Sequence, residues 1–114
     1  MERITTYGEF ELLETGDTIH VFNAHFDHIG ELSRLNAAKL LLQLVEEKEL
    51  LTKKVVIMGD LNCLPTYAPI QVLLEYFSDP FSESKTLSYG PLGTWNGFDK
   101  KLTGVSESLS RQTV

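Results

Sequence analysis

Val55-Val56-Ile57-Met58-Gly59-Asp60-Leu61-Asn62 is four apolar residues, three of them β-branched, running without interruption into Gly-Asp-x-Asn. Such a run is the pattern of a strand buried on both faces of an α/β sheet. Upstream, Thr18-Ile19-His20-Val21-Phe22 is a second β-prone run. Between the two, from Glu31 to Leu51, Leu35, Ala38, Leu42 and Val45 recur at helical spacing. Strand, helix, strand is the order this predicts. If the strands share a sheet, the helix is a right-handed crossover and the strands are parallel, so their C-terminal ends lie along one edge. His25, Asp27 and His28 follow the first strand and Asp60 and Asn62 the second, so segments distant in sequence converge where open α/β sheets place ligands.

Outward from that unit, Arg3 to Leu13 mixes polar, aromatic and apolar residues before Glu14-Thr15-Gly16-Asp17, and predicts a β-hairpin with the Thr18 strand. After Pro65 a second amphipathic helix is expected, with Ile70, Leu73, Leu74 and Phe77 facing inward, until Ser78-Asp79-Pro80 breaks the pattern. Gly90 to Phe98 reads as a turn-rich loop. Residues 100–114 are polar, Ser-rich and non-periodic, the composition of a disordered tail.

The composition narrows the function classes. At 114 residues there is room for one small domain. Sixteen Asp and Glu against ten Lys and Arg give a formal charge of −6, which argues against holding nucleic acid by neutralising many phosphates but leaves metal-bridged phosphate chemistry open. Cys63 is the one cysteine, so no intramolecular disulfide forms and an oxidising compartment is not required. The N-terminus lacks the apolar run of a signal peptide, and Leu40-Leu41-Leu42 is far too short to cross a bilayer. A soluble, cytoplasmic chain with no membrane span is expected.

Two stretches carry the chemistry. In extended chain, Asp60 and Asn62 point the same way. A carboxylate accepts a proton from water or sits beside a hard cation, and an amide donates to a phosphoryl oxygen and orients the attacking water. Read alone, Gly-Asp-x-Asn is also turn composition. Asn23-Ala24-His25-Phe26-Asp27-His28-Ile29-Gly30 places two imidazoles and a carboxylate within four residues just before the helix. Read alone, that octet is equally served by Asp27 capping the helix and one histidine hydrogen-bonded in the core. Neither plain reading explains why both stretches reach one sheet edge.

The octet is similar to the metal-binding segment of the metallo-β-lactamase superfamily, His-x-His-x-Asp-His then Gly, with Asn23 where the first His belongs. A dinuclear zinc centre needs further histidines downstream, and none follows His28. A zinc-dependent hydrolase using His25-x-Asp27-His28 stays as an alternative.

Four stretches in order resemble the endonuclease/exonuclease/phosphatase superfamily, the DNase I-like fold. Asn23 to Gly30 resembles its Asn-Thr-His-x-Asp-His-x-Gly segment, with Arg34 and Ala37/Ala38 resembling the Arg and Ala on the helix that follows. Val56 to Cys63 resembles its hydrophobic Gly-Asp-x-Asn strand end. Tyr89 to Phe98 is similar to the Gly-Thr-aromatic-Asn-Gly-Phe loop of one bacterial subfamily, and Arg3-Ile4-Thr5-Thr6-Tyr7 to the strand opening that half. Order and spacing agree over residues 3–99.

The resemblance implies a partial DNase I-like α/β sandwich over residues 1–99, built of β-hairpin, crossover helix, buried strand and second helix. It implies a Mg²⁺ (or Mn²⁺)-dependent phosphoesterase acting on a phosphodiester or phosphomonoester. His25 would contact the scissile phosphate, and Asp60 and Asn62 would hold the metal and position the attacking water. Asp27, His28 and Arg34 would support them, with Asp27 and Arg34 paired, and Trp95 and Asn96 would line the substrate groove. Read alone, a lone Trp95 beside Phe98 is more often a core plug than a stacking platform.

The family's Gln-Glu motif, whose Glu is its principal magnesium ligand, and its terminal Asp-His pair have no counterpart in these residues. The resemblance therefore implies a domain incomplete as given, and hydrolysis by the chain alone is left open. The alternative is a catalytically silent fragment or interaction module of the same fold. Half of a two-sheet sandwich exposes an apolar sheet face, so a homo-oligomer through that surface is expected.

Overall fold

The computed structural model describes residues 2–86. Three strands form one sheet in the order β1-β2-β3. Strands β1 (Thr5–Glu11) and β2 (Thr18–His25) are the expected antiparallel hairpin, in register from Thr5↔Ala24 to Glu11↔Thr18. Gly16, at φ +73° beside open space, lets the turn close, with Gly16 N donating to Leu12 O at 2.7 Å and Leu12 N to Asp17 O at 2.8 Å. Helix α1 (Glu31–Glu47) crosses over to β3 (Lys54–Asp60), which pairs parallel with β2 from Ile19↔Lys54 to His25↔Asp60. Lys54 Nζ donates to Asp17 Oδ2 at 2.6 Å, tying the hairpin turn to the start of β3.

The buried face of α1 is Arg34, Ala38, Leu41 and Val45, a helical i, i+4, i+7 stripe. Leu35 and Leu42, expected at its centre, are half-buried flanks. The stripe is turned by one residue because Arg34 is drawn inward, where its Nη1 donates to the Asp27 carbonyl at 3.2 Å. The helix also ends before Leu51. Glu49 N donates to Glu46 O and Leu50 N to Val45 O, with Glu49 left-handed at φ 57° and Leu50 buried, a Schellman closure.

Helix α2 (Ala68–Leu74) buries Pro69, Ile70 and Leu73, with Leu74 and Phe77 packed at the margin of the core. Ser78-Asp79-Pro80 ends that pattern as expected and opens a short helix α3 (Pro80–Glu83), where the Asp79 carboxylate accepts from Phe81 N at 3.0 Å. Phe22, Ala24, Ile57, Ala38, Leu41, Val45, Ile70 and Leu73 belong to one core between the sheet and the helices.

The expectation of a strand buried on both faces is corrected. Along β3 only Ile57 is buried, whereas Val56 and Met58 are 42% and 39% exposed. By register, Val56 and Met58 share a face with Val21, Asn23 and Ile19 of β2, and Ile19 with Phe10 of β1. The described helices pack on the other face, so an apolar run that reads as doubly buried has a single covered side. The loop at 90–98, Trp95, Asn96 and the 100–114 tail lie outside the described residues.

Candidate active site

The parallel register sets His25 directly opposite Asp60 at the C-terminal edge of the sheet. Both lie on the side of the sheet that no described helix covers, since the alternate residue Ala24 is buried with the core and Gly59 pairs with it. Gly59 makes the close pairing feasible. It sits at φ +126°, and a Cβ there would collide with the Ala24 carbonyl oxygen and crowd Asn23 Oδ1. The glycine of Gly-Asp-x-Asn is thus dictated by strand approach. His25 Nε2 is 3.8 Å from Asp60 Oδ2, and the His25 side chain is 56% exposed.

Beyond β3 the chain turns through Asn62, at φ 47°. Phe26 N donates to Asp60 O at 2.8 Å, and Asn62 N donates to Asp60 Oδ1 at 3.1 Å. Asn62 Nδ2 donates to the Phe26 carbonyl at 2.9 Å, locking the loop after β2 to the loop after β3. A carbonyl only accepts, so the amide orientation is fixed and its Oδ1 remains the acceptor end. Asp60 and Asn62 therefore supply oxygen donors at one edge.

The supporting residues depart from expectation in one respect. Asp27 and Arg34 do not pair through their side chains. The Asp27 carboxylate accepts from Ile29 N at 3.4 Å and Gly30 N at 3.1 Å, which stiffens the entry into α1 and leaves it no closer approach to Arg34. These donors, the Ile29 amide foremost, hold the Asp27 carboxyl below its ordinary value. Arg34 instead donates to the Asp27 backbone, and its charge acts on the Cys63 thiol. Burial pushes that thiol up, against the pull of Arg34, so Cys63 stays protonated. His28 Nδ1 is 3.8 Å from Asp27 Oδ1.

Arg3 was not singled out as a site residue, yet its Nη2 lies 2.9 Å from His28 Nδ1 and 4.0 Å from Asp27 Oδ1. The signal was the hairpin register. Extended two residues beyond Thr5↔Ala24, it brings Arg3 alongside Phe26, next to Asp27 and His28.

Among the described residues, no three of His, Cys, Asp and Glu come together to hold a metal ion. In the segment offered for zinc, His25 faces Asp60, Asp27 accepts from backbone amides and His28 Nδ1 contacts Arg3. Mg²⁺ is less demanding. It takes one or two protein carboxylates and completes its octahedron with water and substrate phosphate, a donor set that Asp60 and the Asn62 carbonyl fit in part. No helix among the described residues is long and apolar enough to cross a membrane.

No protein-family model and no curated protein matches the sequence. Solved structures do match. An endonuclease/exonuclease/phosphatase family protein from Bacteroides thetaiotaomicron superposes with a TM-score of 0.58 at 29% identity, over 64% of this chain and 26% of that one. The fold is part of the endonuclease/exonuclease/phosphatase fold. A mannosyl-6-phosphatase from B. thetaiotaomicron VPI-5482 superposes with a TM-score of 0.59 at 28% identity, over 64% of this chain and 28% of that one. A conserved protein of unknown function from Enterococcus faecalis V583 covers 96% of this chain and 41% of its own, with a TM-score of 0.80 at 24% identity. The chain thus spans between about a quarter and two fifths of the length of these three structures.

Proposed function

We propose that the chain is a module of a Mg²⁺- or Mn²⁺-dependent phosphoesterase that hydrolyses a phosphodiester or phosphomonoester. The observation that carries the reading is the His25↔Asp60 pair at the ends of parallel strands, with Asn62 fastened beside it. His25, more than half exposed, is placed to donate to a phosphoryl oxygen and stabilise the charge that develops there. Asp60 accepts hydrogen bonds from water and orients it toward phosphorus. Asp60 and Asn62 Oδ1 would hold the metal, which when bound supplies Lewis-acid charge to the phosphate. Asp27, Arg34 and Arg3 keep the two loops in place. The likeness to an endonuclease/exonuclease/phosphatase family protein and to a mannosyl-6-phosphatase supports phosphate-ester chemistry, and the substrate follows from neither, since one fold serves many substrates.

A second reading, a silent module of the same fold, is favoured by one observation: among the described residues no three of His, Cys, Asp and Glu come together at the edge as a cage. Hydrolysis of bis-p-nitrophenyl phosphate and p-nitrophenyl phosphate with Mg²⁺ or Mn²⁺ separates the two. The phosphoesterase reading expects metal-dependent turnover that falls on the order of 10²-fold or more in Asp60→Asn. A folded chain that turns over neither ester with either metal is the silent module.

A further inference from the structure

Arg3 reaches the site from the far strand of the hairpin, and its chemistry constrains the ring it touches. A guanidinium carries five N–H donors, has no acceptor and does not deprotonate in proteins. In the 2.9 Å contact between Arg3 Nη2 and His28 Nδ1 the arginine must donate, so Nδ1 presents its lone pair. The ring proton then sits on Nε2 and the imidazole is neutral, because the tautomer is set by the hydrogen bond the other nitrogen makes. Asp27 alone would draw the opposite state, since its Oδ1 lies 3.8 Å from the same Nδ1. Arg3 is nearer, and the Asp27 oxygens are already committed to the Ile29 and Gly30 amides.

We propose that Arg3 is a positioning residue that locks His28 as the neutral Nε2–H tautomer and so gives the His25/Asp60 edge a fixed, uncharged donor for a phosphoryl oxygen. No described residue takes that Nε2–H, and the His28 side chain is 57% exposed. The role in phosphate binding rests on the phosphoesterase reading. The control of the ring does not.

Long-range ¹H–¹⁵N correlation spectra of the ¹⁵N-labelled full chain, at a pH where imidazoles are neutral, test it, with His28 assigned from His28→Gln. The wild-type ring should give one fully protonated-type Nε2 and one fully bare Nδ1. In Arg3→Met the two signals should move toward each other as tautomers mix, and Arg3→Lys, which retains a donor, should recover part of the split. His20 and His25 report whether the fold is intact. Adding inorganic phosphate with Mg²⁺ should shift His28 Nε2 in the wild type and shift it several-fold less in Arg3→Met. A mixed or Nδ1–H pattern in the wild type overturns the proposal even if Arg3→Met does not fold. So does a pattern unchanged in folded Arg3→Met, or a locked ring that phosphate leaves unmoved. Absence of ester hydrolysis beside a locked ring defeats the phosphoesterase reading alone, whereas hydrolysis beside a mixed ring defeats the role of Arg3 alone.

Discussion

Gly59 shows how much one backbone position carries. Its φ of +126° is open to glycine and strained for any L side chain, and the Ala24 carbonyl occupies the space a Cβ would need. Gly59→Ala should therefore destabilise the chain by about 2–4 kcal/mol, combining strain of about 1–3 kcal/mol with a displaced β2–β3 pairing. Urea denaturation checks this, and a loss under about 1 kcal/mol would mean the strand end relaxes freely. Asp27 makes the pH prediction. Its folded pKa is depressed, chiefly by the Ile29 amide, so its contribution is full above the unfolded value of 3.8 and is lost as pH falls through the folded value. Asp27→Asn should be less stable than wild type at neutral pH and should lose less stability below about pH 4. Parallel urea midpoints in wild type and variant at either end of that range would refute the assignment. The place of Asp60 and Asn62 at the strand end was legible because strand end and motif coincide. Arg3 was not, because a solvent-type side chain near a terminus acquires meaning only through a register that composition does not encode.

Among the elements, α1 was legible in position and blurred in orientation. The Leu-rich run at Leu40-Leu41-Leu42 offers apolar residues on neighbouring faces, so periodicity does not distinguish a stripe through Leu42 from one through Leu41. The choice is made by Arg34, which a sequence reading places in solvent and the fold buries against Asp27 and Cys63. Leu41→Ala should thus cost about 2–5 kcal/mol, with Leu40→Ala at the exposed neighbouring position costing under about 1. Equal costs would mean that Leu41 is no better buried than Leu40. The end of α1 was hidden for a different reason. Closure at Glu49 uses a left-handed residue where glycine is usual, so no glycine marks the stop. Glu46, Glu47 and Glu49 also crowd the negative end of the helix dipole. Glu49→Gly should stabilise the chain by about 0.5–1 kcal/mol, since relief of αL strain outweighs the added freedom of the unfolded chain. A lower melting temperature in the variant would show that Glu49 makes a compensating contact.

The whole molecule joins two features that sequence periodicity treats separately. Alternation along β2 and β3 sends Ala24 and Gly59 toward the helices and His25 and Asp60 toward the opposite side, the side on which Val56 and Met58 are exposed. Among the described residues, the candidate site is therefore the rim of a partly exposed apolar sheet face, to which Phe10, 60% exposed on the edge strand β1, adds its ring. Apolar surface of this kind gains free energy in proportion to the area it removes from water, and an uncovered sheet edge offers unpaired backbone groups besides. Concentration-dependent self-association of the chain is expected, opposed by the net charge of −6 and so strengthened by salt. Val56→Lys combined with Met58→Lys puts two cations on this face without touching the buried Ile57 between them. The double variant should sediment as a monomer at concentrations where the wild type does not, with an unchanged urea midpoint extrapolated to low concentration. Persistence of the association in that variant would move the contact away from the sheet. Lost association accompanied by a fall in ester hydrolysis would show that whatever covers the face also serves His25 and Asp60 at its rim.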